Sequence, residues 1–408
     1  MSSKPMLNPQ ISAALATVGA ATAGISTWAI FGPLLVLIII VVLYTWLGRR
    51  YFLFETKANI ARLSRDATYA QVEYAKKNPS RKGLRAYLES LKAANVPASQ
   101  LCLTNFYVST VNATGVYFPS YNSVISAEAA RAAVLAGARG FVFDIWPDTT
   151  PGANFGPVIQ VVEEGSLWRR ISMNSLPFST VLRAVVQEGF DTRERPGYED
   201  PLFLYLRFRG KPRASTYNGA AAVLGALLEP FRLDASYNGC RAQDRIYTMP
   251  ITNFFRKVII FSNTRAVGTT LEDYINVAPR DGTQVEYSVE DVRSVNYGIQ
   301  KDTRSQIKSN LSWVAPPSES SVAEGGYDWE AAQGLGVHFC AMNFWNRDDR
   351  LEKYMSKSMF GVQSFALKPA ALRHVIEVLP DPKAPFNPNW GSGPTAGSLP
   401  TPPAIRLP

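Results

Sequence analysis

The sequence predicts an α/β protein: a (β/α)8 barrel of the TIM type, preceded by a transmembrane helix and juxtamembrane helices. Three observations predict this fold class. Segments with strand and helix patterns alternate across residues 100–376, as in a repeated βα unit. A long apolar run lies near the amino terminus. The first βαβ unit, residues 101–148, ends on an acid at the carboxyl end of a strand, where barrels of this type build their sites.

The bulk composition is that of a globular protein. Of 408 residues, 46% are apolar and 12% are aromatic, which is ample for a packed core. The net charge of +9 suits an anionic surface. Because the sequence has no zinc-ligand spacing, RNP-like strand or long basic arm, we expect no nucleic-acid partner. Its three widely separated cysteines argue against a disulfide framework and favour a reducing compartment.

An uncharged segment, residues 5–48, contains the run WAIFGPLLVLIIIVVLYTW at 28–46. As a helix this run is roughly 28 Å long, close to the hydrocarbon thickness of a bilayer. Trp28, Tyr44 and Trp46 lie at its ends, where aromatic side chains meet the two interfaces. We therefore predict a single-pass membrane anchor within residues 1–50. A cleaved signal peptide and a buried core helix are the alternatives.

Flanking charges set the predicted orientation of this anchor. Only Lys4 precedes the run, whereas Arg49, Arg50 and Lys57 follow it closely. The positive-inside bias therefore places the large carboxyl-terminal part on the cytoplasmic side of the membrane.

Residues 51–99 predict two juxtamembrane helices, at about 58–77 and 82–94, with a break at 78–80. Five basic residues cluster around this break: Lys76, Lys77, Arg81, Lys82 and Arg85. The cluster has two interpretations, contact with anionic phospholipid head groups or a solvated helix end, and the sequence favours neither.

The elements of the barrel follow in order. After the opening βαβ unit, apolar runs predict five strands, at 157–162, 202–208, 258–262, 337–344 and 364–368. Helices are predicted at 177–188 and 219–229, the first with proline in its first turn. Three polar stretches containing Gly or Pro are interpreted as loops or linker, namely 231–253, 264–291 and 315–326.

Several of these segments resemble the phosphoinositide-specific phospholipase C family. In the first half, FYVSTVNAT at 106–114 resembles the motif Y-x-S-S-H-N-T, and GARGFVFDIWPD at 137–148 resembles G-C-R-x-V-E-L-D-x-W-D. The stretch that begins PVIQVVEEGSL at 157 resembles P-V-x-x-H-G-x-T. In the second half, VHFCAMNF and SFALKPAALR resemble the family's V-A-L-N-F and Y-V-L-K-P-x-x-L-R segments. The resemblance implies an X-like half at 100–262 and a Y-like half at 292–376.

The resemblance also implies that two histidines of the first half should act as general base and general acid. Imidazole suits both roles because its pKa lies near neutrality. Here the first matching position is Val111, and the second falls at about Glu164. No alignment restores either histidine, since the first histidine of the chain is His338. The sequence therefore predicts a degenerate member of the family.

The family's calcium ligands correspond to Asn112, Val142, Asp144 and Arg207 in this sequence. Two oxygen ligands are kept and two are lost, one of them to a cation, so we expect no calcium and no other cofactor. A pair formed by Arg207 and Asp144 has two interpretations. It receives a phosphate, or it is a structural ion pair in an inactive site, and the second is favoured.

Other titratable residues also have both a structural and a functional interpretation. Glu163 and Glu164 are adjacent, so only one of them can face the barrel mouth. A loop carboxylate is the ordinary interpretation of Glu164, and a catalytic acid or base is the alternative. For His338 and His374 a core or surface role is favoured over a catalytic one.

The carboxyl-terminal segment, residues 377–408, is predicted to be an extended tail. Nine prolines fall within the last 29 residues. Such a chain favours polyproline II structure and acts as a tether or as a strap that contacts a protein partner.

Three functional hypotheses follow from these observations. The leading one is a membrane-anchored phospholipase-C-like barrel that has lost catalysis and serves as a structural or binding module, with a viral particle or coat as one setting. The second is a divergent, metal-independent phosphodiesterase that acts on phosphatidylinositol or glycerophosphodiesters through Asp144, Arg207 and Glu164. The third is head-group binding without turnover through Asn112, Asp144 and Arg207.

Overall fold

The computed structural model describes twelve stretches of the chain: 32–47, 82–112, 116–117, 124–150, 152–162, 172, 174–190, 197–280, 284–296, 301–316, 327–344 and 348–374. The chain divides into two units, residues 1–374 and 375–408. The predicted tail at 377–408 therefore lies outside the described residues, as do the predicted helix at 58–77 and the carboxylates of Glu163 and Glu164.

Short strands and helices alternate along the first unit. The strands are β1 Phe106–Asn112, β2 Val116–Tyr117, β3 Val124–Ile125, β4 Gly140–Pro147, β5 Pro157–Ile159, β6 Leu176–Pro177, β7 Leu202–Phe208, β8 Val258–Ser262, β9 Glu286–Tyr287, β10 Trp313–Val314, β11 Phe339–Met342 and β12 Phe365–Leu367.

The helices include one near the amino terminus and nine in the barrel region. They are α1 32–47, α2 Leu84–Ala93, α3 Ala127–Leu135, α4 Phe178–Phe190, α5 Ala214–Leu228, α6 Gln243–Thr248, α7 Val289–Asn296, α8 Lys301–Ser309, α9 Trp329–Gly334 and α10 Asp349–Tyr354.

Local sequence explains several helix ends. Pro177 immediately precedes α4, where its fixed φ suits a helix start. Asp328 and Asp348 cap α9 and α10 by accepting hydrogen bonds from backbone N–H groups of the first turn. After α3, Gly137 adopts a φ of +94°, a left-handed conformation that ends the helix and turns the chain into β4.

A curled sheet of seven parallel strands forms the centre of the fold. Its order is β8, β7, β4, β1, β11, β10 and β9. Val277 continues the curl through a parallel bridge to Phe261 on β8. Within the described ranges no pairing joins Val277 to β9, so the strands curl into a barrel-like sheet that hydrogen bonds do not close there. The α/β prediction is confirmed, and a fully paired eight-stranded ring is not observed.

Two predicted barrel strands pair in the antiparallel direction instead. β5 pairs antiparallel with β4, because the nine residues between them are too few for a parallel crossover. β12 pairs antiparallel with β1 at Phe106–Val108. This part of β1 is open to β12 because β4 pairs with β1 only from Thr110 onward. The interpretation of 157–162 and 364–368 as further parallel barrel strands was therefore wrong.

The two faces of the strands bury two different sets of side chains, as the period of two along a strand requires. The inner face holds a cluster of aromatic rings, in which Trp313 stacks on Phe339 with centroids 4.0 Å apart. Tyr205 and Phe261 lie 5.3 and 5.2 Å from the Trp313 ring. The outer face packs against the helices, with Phe143 contacting Phe178 of α4. The interior is therefore filled by side chains.

Two helices near the amino terminus contrast in their surroundings. In α1, the large apolar side chains are between 48% and 78% exposed. Within the described stretches, no helix is both long enough and apolar enough to span a membrane. Residues 28–31 of the predicted span lie outside those stretches. In α2, by contrast, Leu84 and Leu88 are buried in the inner cluster of the barrel, which confirms the helix predicted at 82–94.

Candidate functional site at the carboxyl ends of the strands

A buried ion pair lies near the carboxyl ends of two neighbouring strands. Asp144 on β4 and Arg207 on β7 are direct partners in the parallel register. Arg207 Nη2 donates a hydrogen bond to Asp144 Oδ2 at 2.8 Å, and Arg207 Nε lies 2.7 Å from Oδ1. Asp144 is fully buried and Arg207 is 1% exposed. The sequence predicted this pair, and the structure shows that one hydrogen bond and a second close contact join the two groups in a site sealed from solvent.

A second carboxylate completes the cluster. Glu286 on β9 accepts a hydrogen bond from Arg207 Nη1 at 2.9 Å and another from the Tyr205 hydroxyl at 2.7 Å. Arg209 Nε donates to Asp144 Oδ1 at 3.1 Å. Two arginines therefore face two carboxylates, and Arg207 contacts both of them. We call these five residues the Arg207 cluster.

The pKa shifts in this cluster favour fixed protonation states. Burial lowers the pKa of Arg207, but the charges of Asp144 and Glu286 more than offset that effect, and the net pKa lies above the ordinary value. Burial, reinforced by the charge of Glu286, raises the pKa of Tyr205 well above its ordinary value. A guanidinium and a phenol with raised pKa values both keep their protons near neutrality. Neither is suited to exchange a proton with a substrate.

Sequence reasoning missed three members of this cluster. Tyr205 lies two residues before Arg207 on the predicted strand, and Arg209 lies two residues after it, one position beyond the end of that strand. The period of two, continued by one residue, would have placed all three on one face. Glu286 offered no such signal, since its strand has only two residues and falls within the stretch 264–291 that was interpreted as loop.

The other positions implied by the family resemblance are Val111, Asn112, Val142 and Glu164. Val142 is fully buried and packs in the inner cluster with Tyr205. Val111 packs in the outer cluster, on the helix side of β1. Asn112, the next residue, is fully buried at the end of β1. Glu164 lies outside the described residues. Of all the positions that the resemblance implies, the structure brings Asp144 and Arg207 into contact.

Both histidines lie at the opposite end of the sheet. His338 immediately precedes β11, and its Nε2 lies 2.8 Å from the carbonyl oxygen of Thr104, which precedes β1. The backbone N–H of His374 donates to Asn105 Oδ1 at 2.6 Å, also before β1. Burial lowers the pKa of His338 well below its ordinary value. Neither histidine contacts the Arg207 cluster.

The cluster does not fit a calcium ion. Calcium needs several oxygen ligands around a common centre. Here the guanidinium of Arg207 lies between the two carboxylates and binds an oxygen of each. Across the described ranges no three His, Cys, Asp or Glu side chains are grouped as metal ligands.

The curled parallel sheet gives this chain a phospholipase-C-like fold. Among solved structures, the chain is similar to PLC21 from L. pealei, with 15% identity and a TM-score of 0.51. PLC21 from S. officinalis gives 15% identity and a TM-score of 0.50. Both alignments cover 69% of this chain and 40% of the other, so the chain spans well under half of their length. Likeness at this identity shows the fold alone.

Comparisons by sequence add no relative. No family model matches the chain, and no curated protein matches it.

Proposed function

We propose that this protein is a phospholipase-C-like barrel that has lost catalysis and acts as a structural or binding module at a membrane surface. One observation carries the proposal: Arg207 binds both Asp144 and Glu286 in a buried cluster, at the place where the fold would otherwise present its reactive groups. The cluster satisfies its own charges, and so it needs no ligand.

The reaction chemistry of the fold supports this proposal. Cleavage of a phosphodiester by attack of a neighbouring hydroxyl needs a base to remove a proton and an acid to supply one to the leaving group. The two histidines of the chain lie at the amino ends of the strands. The arginine and tyrosine at the carboxyl ends hold their protons because their pKa values are raised. These four groups therefore offer no matched acid and base at the carboxyl ends of the strands.

Membrane attachment rests on α1. Its apolar side chains are about half exposed or more, and they belong to the run predicted to span a bilayer. We propose a single-pass anchor with the barrel facing the cytoplasm, and a viral membrane or coat as one setting. Contact with anionic head groups through the basic cluster at 76–85 remains part of the proposal, although Arg85 pairs with Glu199 at 2.8 Å. A protein partner for the tail is likewise proposed.

The competing proposal is a divergent, metal-independent phosphodiesterase that acts on phosphatidylinositol or glycerophosphodiesters. One observation favours it: Arg209 and Glu286, at the edge of the Arg207 cluster, keep 23% and 26% side-chain exposure. An anion that approaches from solvent would meet Arg209 first. In this proposal Arg207 and Asp144 position the phosphate and Glu164 exchanges the proton.

A turnover assay separates the two proposals. The full chain in phosphatidylcholine nanodiscs is supplied with phosphatidylinositol or glycerophosphoinositol, with calcium or with a chelator. We expect no product above that of the chain-free control in any arm. Turnover that Asp144→Asn abolishes would establish the phosphodiesterase instead.

Membrane attachment is tested separately by alkaline carbonate extraction of the expressed full chain. We expect the chain to stay with the membrane pellet. Its release into the supernatant would contradict the anchor and would leave the result of the turnover assay unaffected.

A further inference from the structure

A second feature at the carboxyl ends of β4 and β7 is an open cavity of about 430 Å³. Its wall takes apolar side chains from the end of β4 and from the region of β5, and polar side chains from the segment that leads into α5. The residues that matter here are Trp146, Phe155, Gln160, Val162, Lys211 and Arg213. A volume of this size is typical of sites for small organic ligands.

The charges around this cavity differ from those of the Arg207 cluster. Lys211 and Arg213 are exposed at its rim. In the part of the chain that the structure describes, neither has an acidic side chain within 4.0 Å. None of the described residues that line the cavity is acidic. The cavity therefore presents two cations, and no described carboxylate at its wall offsets them.

Arg213 is held in place by an aromatic ring. Its guanidinium carbon lies 3.8 Å from the centroid of Phe155, a cation–π contact that leaves the guanidinium N–H groups available at its edge. Asn154 and Phe155 adopt φ values of +49° and +53°, which are unfavourable for residues with a side chain. The Thr216 hydroxyl, in the first turn of α5, donates to the Phe155 carbonyl oxygen at 2.9 Å and stabilises this turn.

The part of the wall formed by Trp146 is apolar and tightly packed. Gly210 adopts a φ of +70°, and a Cβ atom there would lie 3.1 Å from the ring of Trp146. Trp146 packs with Val158 and Val162 in a small buried cluster of its own. An apolar ring and two cations thus line the same open cavity.

We propose that this cavity binds an organic oxyanion with an apolar body. The phosphate or other oxyanion would contact Lys211 and Arg213, and the apolar body would pack against Trp146, Phe155 and Val162. Charge complementarity selects the anion, since the described wall offers cations and one amide. The proposal goes beyond the loss of catalysis because these residues take no part in the Arg207 cluster.

The test uses the full chain in phosphatidylcholine nanodiscs, titrated with hexyl phosphate in a calorimeter. Three control ligands dissect the site: hexanol lacks the charge, hexyltrimethylammonium reverses it, and inorganic phosphate lacks the apolar body. We expect hexyl phosphate to bind at least about tenfold more tightly than each control. The absence of saturable binding by hexyl phosphate at millimolar concentration would overturn the proposal.

Variants locate the binding within the cavity. Because each removes one charge-assisted contact, Arg213→Ala and Lys211→Ala should each weaken hexyl phosphate binding by about tenfold. Lys357→Ala, which removes an exposed cation far along the chain, is the matched control and should leave the affinity unchanged. Arg213→Lys keeps the charge and should lose less affinity than Arg213→Ala. Equal affinities for Arg213→Ala and the unaltered chain would overturn the proposal.

A last arm distinguishes a lipid phosphate from a soluble one. Nanodiscs that contain phosphatidic acid replace the neutral ones. Competition that lowers the apparent affinity for hexyl phosphate, and that Arg213→Ala abolishes, identifies a lipid as the ligand. An unchanged affinity, together with displacement by soluble glycerol phosphate, identifies a soluble ester.

Discussion

The two ends of the barrel bury ionisable groups in opposite ways. At the carboxyl end, Arg207 and Arg209 face Asp144 and Glu286, so four charges are paired with one another. At the amino end, His338 and Lys368 are both fully buried, and within the described stretches neither contacts a carboxylate. Burying a charge costs free energy unless it is paired, or unless the group gives up its charge. At the carboxyl end the buried charges are paired with one another, whereas at the amino end the buried groups are expected to be uncharged.

Hydrogen-bond directions support the neutral state of the amino end. The Nδ1 atom of His338 accepts from the backbone N–H of Ser312 at 3.3 Å, so the ring proton is on Nε2. This Nε2–H donates to the carbonyl oxygen of Thr104 at 2.8 Å, and Lys368 Nζ lies 2.7 Å from the same Nε2. An ammonium group there would place its protons against a nitrogen that already carries one. We therefore expect Lys368 to be an uncharged amine in the folded protein, in agreement with its pKa, which burial lowers well below the ordinary value.

The largest expected loss of stability comes from breaking the ion pairs at the carboxyl end. Arg207→Met leaves Asp144 and Glu286 without their shared cation, and we expect a loss of about 3–5 kcal/mol in the free energy of unfolding. Chemical denaturation followed by circular dichroism measures it. The control is the double variant Asp144→Leu with Arg207→Met, which removes both charges and should recover most of the loss. A single variant as stable as the unaltered chain would show that the pairing is not structural.

At the amino end we expect a substitution to raise the free energy of unfolding rather than lower it. Lys368→Met removes a base that must lose its proton to be buried, and His338 Nε2–H keeps its bond to Thr104. We expect the free energy of unfolding at pH 7 to rise by roughly 1–3 kcal/mol. Because the pKa of Lys368 is lowered in the fold, the unfolded chain binds more protons up to pH 10.5, and stability of the unaltered chain should rise toward that pH. Unfolding at pH 7 and pH 9.5 measures both effects, and a lower stability of Lys368→Met at pH 7 would refute the neutral amine.

Acid should destabilise the amino end more than the carboxyl end. The pKa of His338 in the fold lies well below its ordinary 6.5, so the unfolded chain binds the extra proton as the pH falls through 6.5. We expect the unaltered chain to lose about 1 kcal/mol between pH 7 and pH 5.5 from this residue. His338→Leu should lose less over that interval, and His374→Gln serves as the comparison at the half-buried histidine. Identical pH profiles for the unaltered chain and His338→Leu would contradict the assignment.

The smallest effect lies at the rim of the Arg207 cluster. Arg209 donates to Asp144 but keeps 23% of its side chain exposed, and solvent screens its charge. We expect Arg209→Ala to cost no more than about 1 kcal/mol, because Arg207 still pairs with Asp144. The same denaturation experiment measures it. A loss as large as that of Arg207→Met would mean that the two arginines share the pairing equally.

Long apolar runs made most of the central strands predictable. The predicted strands at 202–208 and 258–262 coincide with β7 and β8, since apolar residues fill both faces of a buried parallel strand. β9 and β10 were missed because two residues carry no periodic signal. The predicted helix at 219–229 begins earlier, at Ala214, because the Thr216 hydroxyl accepts from the backbone N–H of Arg213 and caps the first turn.

For the site, the sequence predicted the contact that the family motifs mark and missed the contacts that no motif marks. Asp144 and Arg207 were paired through the family resemblance, and the register of β4 and β7 brings them together. Glu286 reaches the same point from a short strand at the far edge of the curl, which no local pattern marks. The contact between His338 and Lys368 was missed for the same reason, because no local pattern links these two residues.

The central claim is that the Arg207 cluster is closed to ligands by its own ion pairs, and arginine footprinting tests it most directly. The full chain in nanodiscs is treated with phenylglyoxal, and modified peptides are fragmented in a mass spectrometer to separate Arg207 from Arg209. Exposed Arg213 is the internal reference, and a denatured sample shows that Arg207 reacts once it is released. We predict that Arg207, 1% exposed, stays unmodified in the folded chain while Arg213 reacts. Modification of Arg207 at the rate of Arg213 would contradict a closed site.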